Sequence, residues 1–339
     1  MIKQIIGTSR FKSIRACFHS TILKNSEDNK TPTFNRRVLL HHKDISANYG
    51  NAYDYIRDEI AEDISDRLVF LTRDFPNVLE LGSGKGHVLR KIMQSPYLED
   101  KTKSPVGIQN FHLMDGSDPF NVNRIHQDEE ECEKLDDHFK DQSLDMVVSS
   151  SYLHWANNHQ QLYSTIMRKL KPDGAFFGAL IGGDTLFELR SCLVLAEQER
   201  EGGVSPHISP MVGIRDVGNL LNKAGFALPT IDTDVLTVYY PDAFTAMRHI
   251  QYMGENNALL NRRPMVSRET LLAAAAIYDN MYYDEQHKGV PATFEIMYFV
   301  GWSPDPTQPK SKRRGSATVH MKDLAKTMNT QLNTVTTAD

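Results

Sequence analysis

The 339-residue sequence has no apolar run that approaches 18 residues. A helix that spans a bilayer needs about 20, and the longest stretch, residues 175–181 with their flanking glycines, suits a buried strand. Membrane contact is therefore expected to be peripheral at most. Cysteine is scarce: Cys17, Cys132 and Cys192 are isolated, with no C-x-x-C spacing. Such thiols suit a reducing compartment and give no support to a zinc or iron–sulfur site. A surplus of positive charge is missing as well, the formal net charge being −5. Phosphate binding needs a concentrated basic surface, so nucleic acid is not expected as a partner. No internal repeat is visible, which argues against a stacked-repeat architecture.

What is present is ordinary for a globular chain: 40% apolar and 24% charged residues. The length allows one large α/β domain with additions or two small domains. Residues 1–26 stand apart, with Lys3, Arg10, Lys12, Arg15 and Lys24, many hydroxyls and no acidic side chain. Ile2, Ile5, Ile6, Phe11 and Ile14 could form an amphipathic turn. This is the composition of a mitochondrial transit peptide. Removing those five positive residues would take the net charge from −5 to −10.

The chain is organised around residues 77–89, Asn-Val-Leu-Glu-Leu-Gly-Ser-Gly-Lys-Gly-His-Val-Leu. Val78, Leu79 and Leu81 read as a buried strand, Gly82, Gly84 and Gly86 as a turn, and Val88 and Leu89 as the start of a helix. Glycine has no Cβ to hold a ligand off the main chain. The free N–H groups of the following helix favour a carboxylate or phosphate guest. A dinucleotide fingerprint would need G-x-G-x-x-G, but the third glycine comes one residue early and His87 takes its place.

The surrounding pattern alternates strand and helix. Ile56, Ile60, Ile64 and Leu68 mark an amphipathic helix within 51–71, preceded by a segment, 41–52, whose Asn48, Tyr49 and Tyr53 are candidate lid residues or simple surface loop. After a polar loop at 95–105, Phe111, Leu113 and Met114 form a second strand that stops at Asp115. A carboxylate there can accept from both hydroxyls of a ribose. Strand three is expected at 122–126, with Asp128 just beyond it, and a β-branched strand at 145–151, with His154 and Trp155 at its carboxyl end, where open α/β sheets bind ligands. A helix at 161–170, a turn at 171–174 and a strand at 175–181 follow. Further helices are expected at 216–224, 244–253 and 270–283, and strands at 231–240 and 292–302. In the polar stretch 182–210, Asp184 is placed to cap the helix that carries Glu188, and His207 lies between two prolines.

G-x-G-x-G after Leu-Glu-Leu resembles motif I of the class I S-adenosylmethionine-dependent methyltransferases. The resemblance implies an α/β, Rossmann-like, doubly wound and mostly parallel sheet with a final antiparallel strand. It places Glu80 near the methionyl amine, Gly82, Gly84 and Gly86 along the nucleoside, Asp115 at the ribose and Asp128 at the adenine amine. The expected boundaries are a transit peptide at 1–26, a methyltransferase-like domain at 45–303 and a basic linker with a weakly structured tail at 304–339.

Longer motifs narrow the family. Gly183-Asp-Thr-Leu, Glu199-Arg-Glu-Gly-Gly, Ser205-Pro-His-Ile-Ser-Pro, Met253-Gly-Glu-Asn-Asn, Leu271-Leu-Ala-Ala-Ala-Ala, Val290-Pro-Ala-Thr and Arg314-Gly-Ser-Ala-Thr-Val resemble the methyltransferase-like arginine hydroxylases that assist assembly of mitochondrial complex I. That family is similar in turn to bacterial malonyl-carrier-protein methyltransferases. This chain departs from the pattern at Ser83, where cysteine is usual, at Lys85, where arginine is commoner, and in its loop at 95–105. The resemblance implies a matrix protein, possible on the inner-membrane face only as a peripheral guest, that hydroxylates an arginine of the complex I iron–sulfur subunit beside the quinone site. Hydroxylating an unactivated carbon needs an oxidant that no side chain supplies. His154, Asp184 and His207 are the candidates to converge as two imidazoles and a carboxylate around a metal. Conventional methyl transfer to a small acid, a quinone precursor or a carrier-bound acyl group, and a non-catalytic assembly chaperone, remain the competing readings.

Overall fold

The computed structural model describes residues 32–71, 73–94, 107–115, 124–126, 131–263, 265–317, 320 and 323. The leader, the loop at 95–105 and Asp128 lie outside them.

Val78, Leu79 and Leu81 of β1 (Asn77–Leu81) have no solvent exposure. A strand covered on both faces reads as a continuous apolar run, and that is why β1 shows no alternation. It pairs in parallel with β2 (Asn110–Asp115) on one side and β4 (Leu144–Ser150) on the other. β3 (Arg124–His126) extends the sheet beyond β2, and β5 (Leu170–Ile181) beyond β4, both in parallel. β7 (Val290–Trp302) runs antiparallel to β5 and to the outermost strand, β6 (Ala227–Tyr240). Among the described residues the order is β3-β2-β1-β4-β5-β7-β6. The expected doubly wound sheet with a late antiparallel strand is what forms.

Two helical layers cover it. On one face lie α2 (Tyr55–Val69), α3 (His87–Gln94), α6 (Phe187–Glu201), α8 (Ala243–Met253) and α9 (Arg268–Tyr282), which bury Ile60, Val88, Leu189, Ile250 and Tyr278. The other face carries α4 (Glu131–His138), α5 (His159–Lys169) and α7 (Ile214–Ala224), with Leu135, Ile166 and Leu221 packed inward. Each buried aliphatic side chain contributes about 1.5–3 kcal/mol. Caps set the limits of several helices: Asn158, Asp242 and Ser267 accept from the backbone N–H three residues on, and Gly225 ends α7 in the left-handed region.

Three expectations need correction. The segment 41–52, read as loop or lid, is largely α1 (Arg36–Asn48), whose Asn35 cap accepts from Val38 N. Only Leu39 and Ser46 of this helix are buried, so no periodic stripe announces it. It is held instead by a small cluster of Phe34, Leu39, Trp155, Ala258 and Leu259, and folded structure therefore begins before residue 45. Asp184 is exposed and caps nothing: the N-cap of α6 is Leu186, at φ 54°, with no side-chain bond. The segment 171–174, read as a turn, is the irregular first part of β5, with Asp173 at φ 59° and a register shift opposite Leu144 and Met146. Residues 304–309 are also better anchored than a linker implies, since Gln308 Nε2 donates to Asp173 Oδ1 and to the Ser303 carbonyl.

Candidate functional site

The carboxyl ends of the parallel strands converge where β1 lies between β2 and β4, the switch point at which such sheets bind ligands. The glycine loop leaves β1 there. Gly82 N and Ser83 N both donate to the Met114 carbonyl, at 2.8 and 3.1 Å, which ties the loop to β2. Gly82 has φ 72°, and a Cβ on it would lie 2.1 Å from Tyr152 Cγ, so both backbone and space exclude a side chain. A Cβ on Gly84 would meet nothing within 4 Å. The main chain is thus bare on the side that faces the cleft.

That cleft lies over the glycine loop. Glu80, Gly82, Gly84 and Asp115 line it together, while Gly86 forms the turn into α3 and is not among its lining residues. Asp115 is 2% exposed, and its Oδ2 accepts from Gly84 N at 2.5 Å. Charge-assisted bonding of this kind holds the carboxylate in place at the loop. Glu80 is buried at the end of β1.

Several lining residues lie outside the glycine motif. Lys43 of α1 stands over the Tyr152 ring at 4.3 Å, and Ser46 and Ala47 complete a wall of the cleft. Arg57 of α2 projects into it as well. Its Nη2 donates to Glu255 Oε1 at 2.8 Å and its Nη1 reaches Ser46 Oγ at 3.3 Å and Asp54 Oδ1 at 3.4 Å. Lys85 pairs with the buried Asp54 at 2.5 Å, and His87 Nδ1 with Asp58 at 2.7 Å. Burial lowers the His87 pKa against the pull of those carboxylates, which disfavours the imidazolium. Sequence spacing could not have found Lys43, Arg57 and Tyr152, since they come from three separate elements.

The three candidates for a metal do not come together. His154 Nε2 donates to Glu255 Oε2 at 3.2 Å, beside Trp155 Nε1 at 3.1 Å. His207 Nε2 pairs with Glu197 Oε2 at 3.0 Å, and Asp184 is an exposed residue whose backbone N–H donates to Glu295 Oε2. Among the described residues no three His, Cys, Asp or Glu side chains form a group that could hold a metal ion. Polar residues of 182–190 instead bind β7: Thr185 exchanges hydrogen bonds with the Glu295 backbone, and Glu188 accepts from the Thr293 hydroxyl.

Beyond the cleft lies a largely apolar chamber with walls that include Leu186, Leu189, Met247, Ile250, Leu271 and Phe294. A small cavity lies between the two, sharing Arg57 and Ser151 with the lining of the cleft and Ile181, Glu255 and Phe294 with that of the chamber. An outer groove shares His207 and Ile208 with the chamber. Burial pushes the Glu255 carboxyl up, but His154 and Arg57 outweigh it and hold the pKa at about 2. Glu197, at the groove, is likewise held at about 2: burial opposes ionisation, and Ser205, Arg263 and His207 overcome it.

Fold, glycine loop and paired carboxylates define the class: this is a methyltransferase domain, and the methyltransferase-domain family matches residues 53–230. The arginine hydroxylase NDUFAF5, mitochondrial, of Danio rerio is 40% identical over 299 residues, covering 86% of this chain and 89% of its own length. Its Homo sapiens counterpart is 42% identical over 281 residues, 82% and 78% of the two chains. A malonyl-[acyl-carrier protein] O-methyltransferase of Methylovorus sp. (strain MP688) is 31% identical over 163 residues, 48% of this chain and 52% of that one. The chain belongs to the family of mitochondrial NDUFAF5 arginine hydroxylases, and it is a mitochondrial protein.

Proposed function

We propose that the protein binds S-adenosylmethionine in the cleft and hydroxylates an arginine of a partner protein delivered through the apolar chamber. The observation that carries this reading is kinship with arginine hydroxylases along most of the chain, combined with a cleft at the glycine loop whose lining carries carboxylates and cations together. Asp115 would accept from the ribose hydroxyls, the open main chain at Gly84 would lie against the nucleoside, and Glu80 would face the methionyl amine. Lys43 and Arg57 supply positive charge for the methionyl carboxylate.

When bound, the cofactor carries an electrophilic methyl group, which is suited to methyl transfer. Turning a C–H bond into C–OH needs an oxygen atom and an oxidant instead, and these come from a co-reactant. The chain's own part is to hold the arginine in an apolar, water-poor chamber beside the cleft and to fix its orientation.

The proposed substrate is the iron–sulfur subunit of complex I, at an arginine beside the quinone site, modified during assembly on the matrix side. No helix among the described residues is long and apolar enough to cross a membrane, which is compatible with a peripheral position on the inner membrane. Peptide mass spectrometry of that subunit, from cells with and without this protein, tests the reading. One extra oxygen on an arginine, present only with the protein, is expected. A methylene in its place, or no difference, would overturn the hydroxylase assignment.

A further inference from the structure

The pair of Arg57 and Glu255 stands between cleft and chamber. Arg57 lines the cleft and the small cavity, and Glu255 lines the small cavity and the chamber. Glu255 is the only acidic side chain lining either the chamber or the small cavity among the described residues. It follows Gly254, which ends α8 at φ 78° and lies so close to α1 that a Cβ would come 2.9 Å from the His42 carbonyl.

The two oxygens of Glu255 are used differently. Oε2 accepts from His154 and Trp155, both buried, and these bonds fix the carboxylate independently of Arg57. Oε1 accepts from Arg57, which also reaches Ser46 and Asp54 on the cleft side. Arg57 is thus a guanidinium held on a fixed carboxylate at the mouth of an apolar chamber. That is what a substrate arginine would require, its methylenes against Ile250 and Phe294 and its head on Oε1. Two guanidinium groups cannot share this site cheaply, because like charges at contact distance repel in a partly desolvated setting.

We propose that Glu255 receives the guanidinium of the substrate arginine and that Arg57 is its resident stand-in, displaced into the cofactor cleft as substrate enters. This rests on the functional reading above, with arginine as substrate and a carboxylate-bearing nucleoside in the cleft. There Arg57 keeps Asp54, which it already reaches, and gains the cofactor carboxylate, so each charge is matched after the exchange. Binding of the two ligands is therefore coupled, and by linkage each must strengthen the other equally.

Calorimetry on the folded full-length chain tests this, with an acetylated, amidated arginine peptide, its citrulline counterpart and S-adenosylhomocysteine as probes. The wild type should prefer arginine to citrulline about 10-fold or more, as hydrogen bonds to charged groups imply. Saturating S-adenosylhomocysteine should raise arginine affinity about 5-fold or more. Glu255→Gln should reduce the arginine-to-citrulline ratio to about one while S-adenosylhomocysteine alone binds equally or more tightly, because Arg57 is released. Glu255→Asp should restore part of the preference. Arg57→Gln, an independent variant should Glu255→Gln fold poorly, should bind the arginine peptide more tightly and the nucleoside more weakly, with the coupling lost. An arginine preference that survives Glu255→Gln, or an Arg57→Gln chain that binds the arginine peptide more weakly, would overturn the exchange and leave the hydroxylase reading intact. No arginine preference in the wild type, together with no arginine product in the mass spectra, would remove both.

Discussion

The cofactor cleft and the apolar chamber are neighbours built by opposite means. The cleft rests on main chain: Gly84 presents bare backbone, Gly82 lies tight against Tyr152, and Asp115 is fixed by a backbone N–H. The chamber rests on side chains from β5, α6, α8, α9 and β7, and its one acidic lining residue among those described, Glu255, is held by a network from α2 and the segment after β4. The difference teaches where each can be altered. A main-chain site fails when a Cβ is added, whereas a side-chain site fails when a partner is left unmatched.

The largest expected effect is on the cleft. Gly82→Val places a β-branched side chain at φ 72° and into the Tyr152 ring. Left-handed strain of about 1–2 kcal/mol and overpacking of about 1–3 kcal/mol should together lower the denaturant midpoint and abolish nucleoside binding. An unaltered midpoint would show that the loop is not confined as described. On the chamber side, acid is the probe. The folded pKa of Glu255 is depressed to about 2, so its contribution is complete above the unfolded value of about 4.3 and is lost as pH falls toward 2. On the order of 3 kcal/mol at neutral pH is involved, and Glu197 acts in the same direction. Glu255→Gln should flatten that part of an acid-unfolding curve, and an unchanged curve would place the acid sensitivity elsewhere.

Asp115→Ala comes next. Hydrogen bonds to charged groups contribute about 1.5–3 kcal/mol each, so S-adenosylhomocysteine should bind about 10- to 100-fold more weakly per bond lost. The same variant should leave the arginine preference over citrulline in place, which separates the two regions. The smallest effect is Lys43→Ala. Loss of its position over Tyr152 should cost about 0.5–1 kcal/mol, seen as a few-fold weaker nucleoside binding and no shift in the acid curve.

Legibility followed the same division. Glu80, Gly82, Gly84 and Asp115 were readable because strand, turn and helix obey local rules, and the end of β2 falls beside the loop in any sheet of this order. Helix α1 was not readable, because two buried residues in thirteen make no stripe and its anchor, Leu39, answers to Trp155 and Leu259 far along the chain. The grouping of His154, Asp184 and His207 failed for a related reason. Each is at a strand end or in a nearby loop, but His154 and His207 are claimed by different carboxylates, Glu255 and Glu197, and the Asp184 side chain faces solvent.

Local chemistry determined the strand, the glycine turn and the alternation of strand and helix that calls for a parallel sheet, since each depends on residues only a few positions apart or on a period within one element. The union of Arg57, Glu255 and the chamber walls was decided by tertiary structure. Arg57 and Glu255 alone lie 198 positions apart, and whether a carboxylate there meets a solvent-facing lysine or a buried indole depends on which helices the sheet brings into contact.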